Sequence, residues 1–465
     1  MKKIFIIIST ILLLTSCDKY LDIKPYGRTI PKTAEEFAAL IHPYLNAIDE
    51  GSENYVVFNA STCLDFDLAG GDDFEASLTE QSGRAMPFYI GNIVNSYSQS
   101  AYWRNYALIR DCNIVIANMK ERDSQEANNV LAAAYALRGV AYYQLMRMFC
   151  PSPIKGQFDK QLGLPLVVSF DMEARPVRST LQQTIDQIER DLKASINYHC
   201  TNDLYRFTEP VTKGYLAQLY FWTEQWDKVV PLANELIKLY PLVGGEAYKM
   251  MVINPGSPKE GNHIMTAYRS TTTTTVQEYE SKAASIAYRP VSKRYMQCFA
   301  KDEIANDVRA SLFVNKKRKA TKPIFCGMRS AELQLMLAES YAHMGKDAEA
   351  LAAINLLRSL RIKDAQPLSL DKLPERNSQE RIVVDAEGKP LSKLMAVILN
   401  ERRKEMFMEG DRMFELKRNG APEFWTAYDG LRYNTEKYMY TMPIPESELR
   451  INPGIAQNEG YKDAI

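Results

Sequence analysis

Carboxylates one helical turn apart can do acid–base work, and the run ERRKEMFMEGDRMFELKRNG, from Glu401 to Gly420, carries such a pair. Glu401, Glu405, Met408, Arg412 and Glu415 recur at i, i+4, i+7, i+11 and i+14, so a continuous helix would set them on one face. Arg402, Arg403 and Arg412 lie within sequence reach to neutralise these acids. That favours a charge network pinning the helix to its neighbours over a pair of free catalytic acids. A second acidic group, Asp65, Asp67, Asp72, Asp73 and Glu75, sits in DFDLAGGDDFE. It partly matches a calcium loop, but Ala69 stands at a ligand position and Ala76 where the bidentate Glu belongs, so an EF-hand is rejected. What remains is a solvated acidic loop, or a set of acceptors for sugar hydroxyls or a loosely held cation. His42, His199, His263 and His343 are too scattered for H-E-x-x-H or any close ligand pair. There is no G-x-S-x-G elbow, no Walker loop and no G-x-G-x-x-G. These residues point to no catalytic site, no metal site and no cofactor.

Aromatic side chains are the better pointer to a ligand. The chain holds 27 Tyr, most of them expected to pack between helices with their hydroxyls reaching the surface. Tyr89, Tyr97, Tyr268, Tyr279 and Tyr288 fall instead in irregular segments, with Arg269 and the acidic group above as polar company. Flat aromatic faces suit the apolar faces of sugar rings, and Asp, Asn and Arg suit their hydroxyls. A few polar groups converging on such a surface is what a binding site needs. The balance of 57 basic and 57 acidic residues lacks the basic footprint that nucleic acid requires, and offers no polybasic route to an acidic membrane surface.

The N-terminus reads as an export signal. Met1-Lys2-Lys3 is a basic start, Ile4 to Leu14 is an apolar run interrupted by Ser9 and Thr10, and Thr15-Ser16-Cys17 follows. The run is too short for a membrane span, which needs about 20 apolar residues. Leu14-Thr15-Ser16-Cys17 resembles a bacterial lipobox. That implies a signal peptide over 1–16, an acylated Cys17 and an extended leader over 17–32. Several acyl chains on one residue anchor firmly, at about 0.8 kcal/mol for each buried CH₂. The six other cysteines form no C-x-x-C pair and are expected as buried free thiols.

The elements that must position these groups follow from periodicity. Thr33 and Glu36 form a capping box that opens a helix with its stripe at Phe37, Leu40, Ile41, Tyr44, Leu45 and Ile48. Residues 50–99 read as a long irregular segment. Helical patterning returns near Tyr102, and further helices are expected over Gln125–Met148 and Arg175–Tyr198, the latter opened by Ser179-Thr180. Gly214–Pro241 and Ala331–Arg358 each read as a helix, a tight turn and a second amphipathic helix, similar to the tetratricopeptide hairpin of about 34 residues. Such hairpins stack into a superhelix, and two fall short of the roughly three needed for a stable array. The pairs at Tyr102–Met148 and Leu391–Arg418 must supply the rest. Gly244–Thr321 is a second irregular excursion, and residues from about Gln366 to Pro390 form a polar connection.

The Glu401–Gly420 run also resembles the signature segment of the SusD/RagB family, through Glu401, Arg402, Arg403, Glu405, Glu409, Gly410, Arg412, Leu416 and Arg418. Glu415 stands where the family usually has Asp. Pro443 to Glu448, Asn452-Pro453 and Gln457 to Tyr461 resemble its closing segment. Trp103, Tyr106, Ile109, Cys112 and Asn113 match an N-terminal motif, and the start CDKYLDIKP is similar too. The resemblance implies a mainly α SusD-like domain over 33–465, with an N-terminal part to 240 and a C-terminal part from 241. It implies a tetratricopeptide-like superhelix of helical hairpins carrying long irregular ligand-binding loops, and no enzymatic activity. It further implies an outer-membrane lipoprotein facing the exterior, partnered with a SusC-like TonB-dependent transporter. The nutrient would be an oligosaccharide or, in the RagB-like branch, a peptide. A tetratricopeptide-type envelope adaptor without a small ligand is the competing reading. On the same resemblance the charged residues of Glu401–Gly420 are architectural, and the ligand face belongs to the irregular excursions.

Overall fold

The computed structural model describes residues 31–75, 89–171, 173–253, 262–267, 289–428 and 430–461. The signal peptide, Cys17 and the leader as far as residue 30 lie outside the described residues, as do Tyr268, Arg269, Tyr279 and Tyr288.

Helix α1 (Ala34–Glu50) begins on the expected capping box: Thr33 accepts from the Glu36 amide and Glu36 accepts from the Thr33 amide. A short α2 (Ala60–Asp65), capped by Asn59, runs into one π turn at Phe66–Gly70. Helix α3 (Ile90–Asn118) starts well before Tyr102, which corrects the reading of 50–99 as irregular throughout. Tyr89, just ahead of it, makes no side-chain cap, so the sequence carries no start signal there. Helix α4 (Gln125–Phe149) is buried around nearly its whole circumference, as a helix at the centre of a core must be. An antiparallel ribbon of β1 (Leu162–Pro165) and β2 (Arg178–Thr180) leads into α5 (Leu181–Ile196). The helix expected from Arg175 therefore starts later, where Thr180 and Gln183 form a second capping box. Then come α6 (Glu209–Trp222) and α7 (Trp226–Leu239), the first predicted hairpin.

The second excursion is less irregular than the sequence suggests. It holds α8 (Gly245–Ile253), β3 (His263–Thr266), α9 (Lys293–Met296) and α10 (Val308–Phe313). Strand β3 pairs with β4 (Gly327–Arg329), which leads directly into α11 (Ser330–His343) and α12 (Asp347–Ser359), the second predicted hairpin. After the polar connection come α13 (Lys393–Glu405), α14 (Arg412–Arg418), the hairpin of β5 (Phe424–Tyr428) and β6 (Leu431–Thr435), and α15 (Glu446–Ile451).

The helices pack in the order α3, α4, α5, α6, α7, α11, α12, each against the next, and α13 lies against α11 and α12. The two predicted hairpins are thus spatial neighbours, and the excursion between them leaves the stack and returns to it. Helices α3 to α5 complete the array that two hairpins alone could not stabilise. Helix α14 does not join it. The chain breaks at Met406–Asp411, where Met408 (φ 58°) and Gly410 (φ 72°) both turn left-handed, and α14 swings onto the π turn. The expected continuous helix over Glu401–Gly420 is therefore two helices at a corner. Docking of the N-terminal segment explains the corner: Asp67 accepts the Gly410 amide at 2.9 Å, and a Cβ at Gly410 would come within 3.2 Å of Cys63 Sγ. One main core runs from α1 to the closing segment, with a smaller cluster between α11, α12 and α13. Cys63, Cys112, Cys150, Cys200, Cys298 and Cys326 are buried free thiols. No helix among the described residues is long and apolar enough to cross a membrane.

Candidate functional site

The predicted charge network exists, with other partners than sequence spacing suggests. Glu405 is fully buried and held by Arg361 at 2.9 Å, Arg329 at 2.8 Å and Arg309 at 3.3 Å. Arg309 also grips Asp307 at 2.8 Å and Glu401 at 2.9 Å, while Arg358 and Lys404 reach Glu401 at 3.1 and 2.7 Å. Burial would raise both glutamates, but the surrounding cations outweigh it. Glu401 is held down at about 2, and Glu405 lies well below its ordinary range. A carboxylate so firmly ionised is a poor proton donor, so this pair does no acid–base work at neutral pH. The arginines expected to neutralise it look elsewhere. Arg402 takes both oxygens of Asp411 at 2.9 and 2.6 Å, Arg403 binds Asp72, Asp73 and Glu380, and Arg412 binds Asp72, Glu380 and Glu415.

The acidic segment is therefore placed differently from both readings offered for it. Asp67, Asp72 and Asp73 are 2%, 3% and 3% exposed, so they form neither a solvated loop nor acceptors presented to a ligand from solution. Their partners Arg403, Gly410 and Arg412 lie 330 to 343 residues further along the chain, which no local pattern can reveal. For Asp72, burial is outweighed by Arg403 and Arg412, and its carboxyl lies below the ordinary range. Asp67 is held by the Gly410 amide, and burial pushes it well up. Tyr97 belongs to α3 and not to an irregular segment. Its hydroxyl donates a short hydrogen bond to half-buried Asp65, and with 8% of its surface exposed Tyr97 is committed to the interior as well. Among the described residues no three His, Cys, Asp or Glu are grouped to hold a metal ion.

This lattice supports the place where the two irregular excursions meet. Phe74 pairs with Val291 in an antiparallel bridge, the Glu75 amide donates to Pro290 O, and the Ser292 amide donates to Asp73 O. Arg318 clamps Glu75 at 2.7 and 3.1 Å. The two segments thus run side by side next to Asp72, Asp73 and Arg403. Tyr89, half-buried where the first excursion rejoins α3, packs 5.6 Å from Tyr433 of β6 and donates to Met439 Sδ at 3.4 Å.

Strands β5 and β6 add a feature that motif searching misses. Phe424 pairs with Thr435, Trp425 with Asn434, and Ala427 with Arg432, so Trp425, Arg432 and Asn434 share one face. All three are exposed, Trp425 by 52%. The Arg432 guanidinium lies 5.1 Å from the Trp425 ring centroid, and its Nε donates to Asn434 Oδ1 at 2.8 Å. The other face fastens the hairpin to the lattice. Phe424 packs 3.8 Å from the Arg381 guanidinium, which in turn reaches Asp72 at 3.2 Å, and Tyr433 meets Tyr89. A flat indole flanked by a guanidinium and an amide is a surface suited to a polyhydroxylated ring. Glu423 and Lys437, which flank the hairpin in sequence, line a cleft of about 1070 Å³ together with Ile154, Lys155, Lys389 and Tyr438.

Two family models match the chain. One, described as starch-binding associating with outer membrane, covers residues 19–221, and the other, described as the SusD family, covers residues 267–461. The chain belongs to the SusD/RagB family. Its fold is similar to that of a SusD superfamily protein from Bacteroides thetaiotaomicron VPI-5482, at TM-score 0.70 and 19% identity over 92% of this chain and 99% of that one. It is similar to a putative sugar binding protein from Bacteroides vulgatus ATCC 8482, at TM-score 0.68 and 21% identity over 93% and 100%. It is also similar to surface glycan-binding protein A from Bacteroides fluxus, at TM-score 0.62 and 16% identity over 93% and 100%. No curated protein matches it in sequence. The SusD/RagB family is a family of non-catalytic binding proteins, and the firmly ionised Glu401 and Glu405 agree with that. In this SusD/RagB protein the signature residues are the inner frame: they carry the excursions and, apart from half-buried Glu409, are themselves buried. A signal for the β5–β6 hairpin was present in the sequence as the aromatic and β-branched run FWTAY and the alternating LRYNT, which flank a short turn.

Proposed function

We propose that this protein is a cell-surface lipoprotein, anchored in the outer membrane through Cys17, that binds an oligosaccharide and delivers it to a SusC-like TonB-dependent transporter. The glycan reading is carried by the exposed Trp425–Arg432–Asn434 face beside the meeting point of both excursions. Membership of the family supports it, as do the sugar-binding and glycan-binding names of two structural relatives. Tyr89 and the excursion residues Tyr268, Arg269, Tyr279 and Tyr288 contribute further ligand contacts in this reading. The lipobox-like sequence at Leu14–Cys17 supports the anchor.

Affinity electrophoresis through gels containing a broad panel of polysaccharides tests the ligand class. Retardation by at least one glycan is the expected result. No retardation by any of them, together with measurable binding of peptides, would replace the oligosaccharide with a peptide. The partner is tested separately, by purifying the anchored protein from outer membranes. Recovery without any TonB-dependent barrel would remove the delivery role and leave the ligand reading standing.

A further inference from the structure

Between α4, α6 and the Met406–Asp411 corner lies a cavity of about 90 Å³ that glycan binding does not use. Arg147 of α4, Trp222 of α6, Glu332 of α11, and Arg402, Phe414 and Glu415 are among its walls. Three donors there have no hydrogen-bond partner, Trp222 Nε1, Arg402 Nη1 and Arg147 Nε, against one acceptor, Glu415 Oε1. Trp222 and Arg402 are 4% and 5% exposed. A buried donor without a partner has given up its hydrogen bond to water for nothing, and native proteins seldom leave several together without an occupant. A water molecule needs roughly 10–15 Å³ of such space, so there is room for a small ion with accompanying water.

The charges around the cavity pair off with two exceptions. Arg402 is taken by Asp411, Arg418 by Glu339 at 2.6 Å, Glu409 by Lys322 and Arg329, and Glu415 by Arg412 at 2.7 Å. The exceptions are Arg147 and Glu332, neither of which makes a salt bridge among the described residues. The Arg147 guanidinium lies 3.7 Å from the Phe414 ring centroid and 5.5 Å from that of Trp222. Glu332 lines the same space and accepts from Gln218 Nε2 at 2.8 Å. The charges that act on Glu332 are Arg402, Asp411 and Arg147, with Tyr143 and Tyr215 close by. Burial outweighs the two arginines and pushes Glu332 up to about 7, and burial does the same for Glu415. Once Glu332 is protonated, Arg147 has no counter-charge.

We propose that this cavity binds one small monovalent anion, held by Trp222 Nε1, Arg402 Nη1 and the Arg147 guanidinium. A halide ion and a small carboxylate both meet this chemistry. The anion ties α4 and α6 of the helix stack to the signature segment at its corner. It also takes the place of ionised Glu332 as the counter-charge of Arg147, so anion binding and protonation of Glu332 are linked. Affinity therefore falls as pH rises above about 7, by up to about tenfold per pH unit.

Crystals of the protein soaked in sodium bromide are expected to show an anomalous peak between Trp222 and Arg402. Melting temperatures in bromide, acetate and gluconate at one ionic strength distinguish a halide, a small carboxylate and an anion too bulky for the cavity. Bromide or acetate should stabilise more than gluconate, and more at pH 6 than at pH 8. Glu332→Gln should preserve the effect at pH 8, and Trp222→Phe should diminish it. A cavity holding water alone in the bromide soak, or equal melting temperatures in the three salts at both pH values, overturns the proposal.

Discussion

Replacing Arg403 with alanine should destabilise the protein strongly and loosen the meeting point of the two excursions in the same step. The guanidinium is 1% exposed and contacts Asp73 at 2.7 Å, Glu380 at 2.6 Å and Asp72 at 3.1 Å. Asp72 and Glu380 would keep Arg412, at 2.8 Å each. Asp73 would keep no salt bridge among the described residues, although its side chain is only 4% exposed. Breaking a buried pair from one side costs about 3–5 kcal/mol, because the remaining charge has lost both its partner and its water. Melting entropy of about 2.1 cal/mol/K per residue gives roughly 0.9 kcal/mol per degree for about 450 residues unfolding together, so the melting temperature should fall by about 3–5 °C. Calorimetry measures this directly. The second reading is pH. Burial already holds the Asp73 carboxyl above its ordinary value, outweighing Arg403, and removing Arg403 lifts it further. Its protonation then relieves the stranded charge, so the deficit of the variant should shrink as pH is lowered. Asp73→Asn combined with Arg403→Ala should recover part of the loss for the same reason. A melting temperature indistinguishable from the parent, or a deficit independent of Asp73, would refute this account of the lattice.

Trp425→Ala should weaken glycan binding by about tenfold, near 1.4 kcal/mol, and leave the melting temperature unchanged, as calorimetric titration and melting together will show. Tyr288→Ala should likewise lower affinity while folding stays nearly intact, and equal affinity would remove that excursion from the ligand face. The six cysteines beyond Cys17 should not react with a thiol reagent until the protein unfolds. All six are buried, and burial pushes the Cys112 and Cys298 thiols up, the latter to about 12. Stability should be lost in acid over a defined window. The folded Glu401, Glu339 and Glu380 carboxyls lie at about 2 against 4.5 unfolded, burial being outweighed by their cationic partners. Their contribution is complete above about pH 4.5 and disappears as pH falls towards about 2, which a melting series across that range will follow.

What the sequence disclosed and what it hid divide by the distance over which each feature is encoded. The helix start at Thr33 and the hairpins at α6–α7 and α11–α12 rest on residues close together in the chain and stand as read, and of the helix read from Arg175 the opening at Thr180 stands while the five residues before it do not. The start of α3 was hidden because Tyr89 offers no cap and Asn92, Asn95, Ser96, Ser98 and Gln99 dilute the apolar stripe of Ile90, Ile93, Val94 and Tyr97. The corner at Met408 was hidden for another reason: a left-handed methionine is unfavourable alone, and the hydrogen bond that holds this corner, from the Gly410 amide to Asp67, comes from far along the chain. Periodicity extended through MFMEGD and put Glu401, Glu405 and Arg412 on one face. The chain in fact turns there and sends Arg412 to Asp72, 340 residues earlier. The same turn explains why the site was only half legible. Asp67, Asp72 and Asp73 looked like ligand acceptors because acidic, glycine-rich stretches usually face water. Instead Asp72 and Asp73 are bound by Arg403 and Arg412 of the signature segment, with Arg381 also on Asp72, and Asp67 takes the Gly410 amide. With those carboxylates committed inward, the ligand face we propose among the described residues consists of Tyr89 and the outward face of the β5–β6 hairpin, whose Trp425, Arg432 and Asn434 come together only through strand pairing.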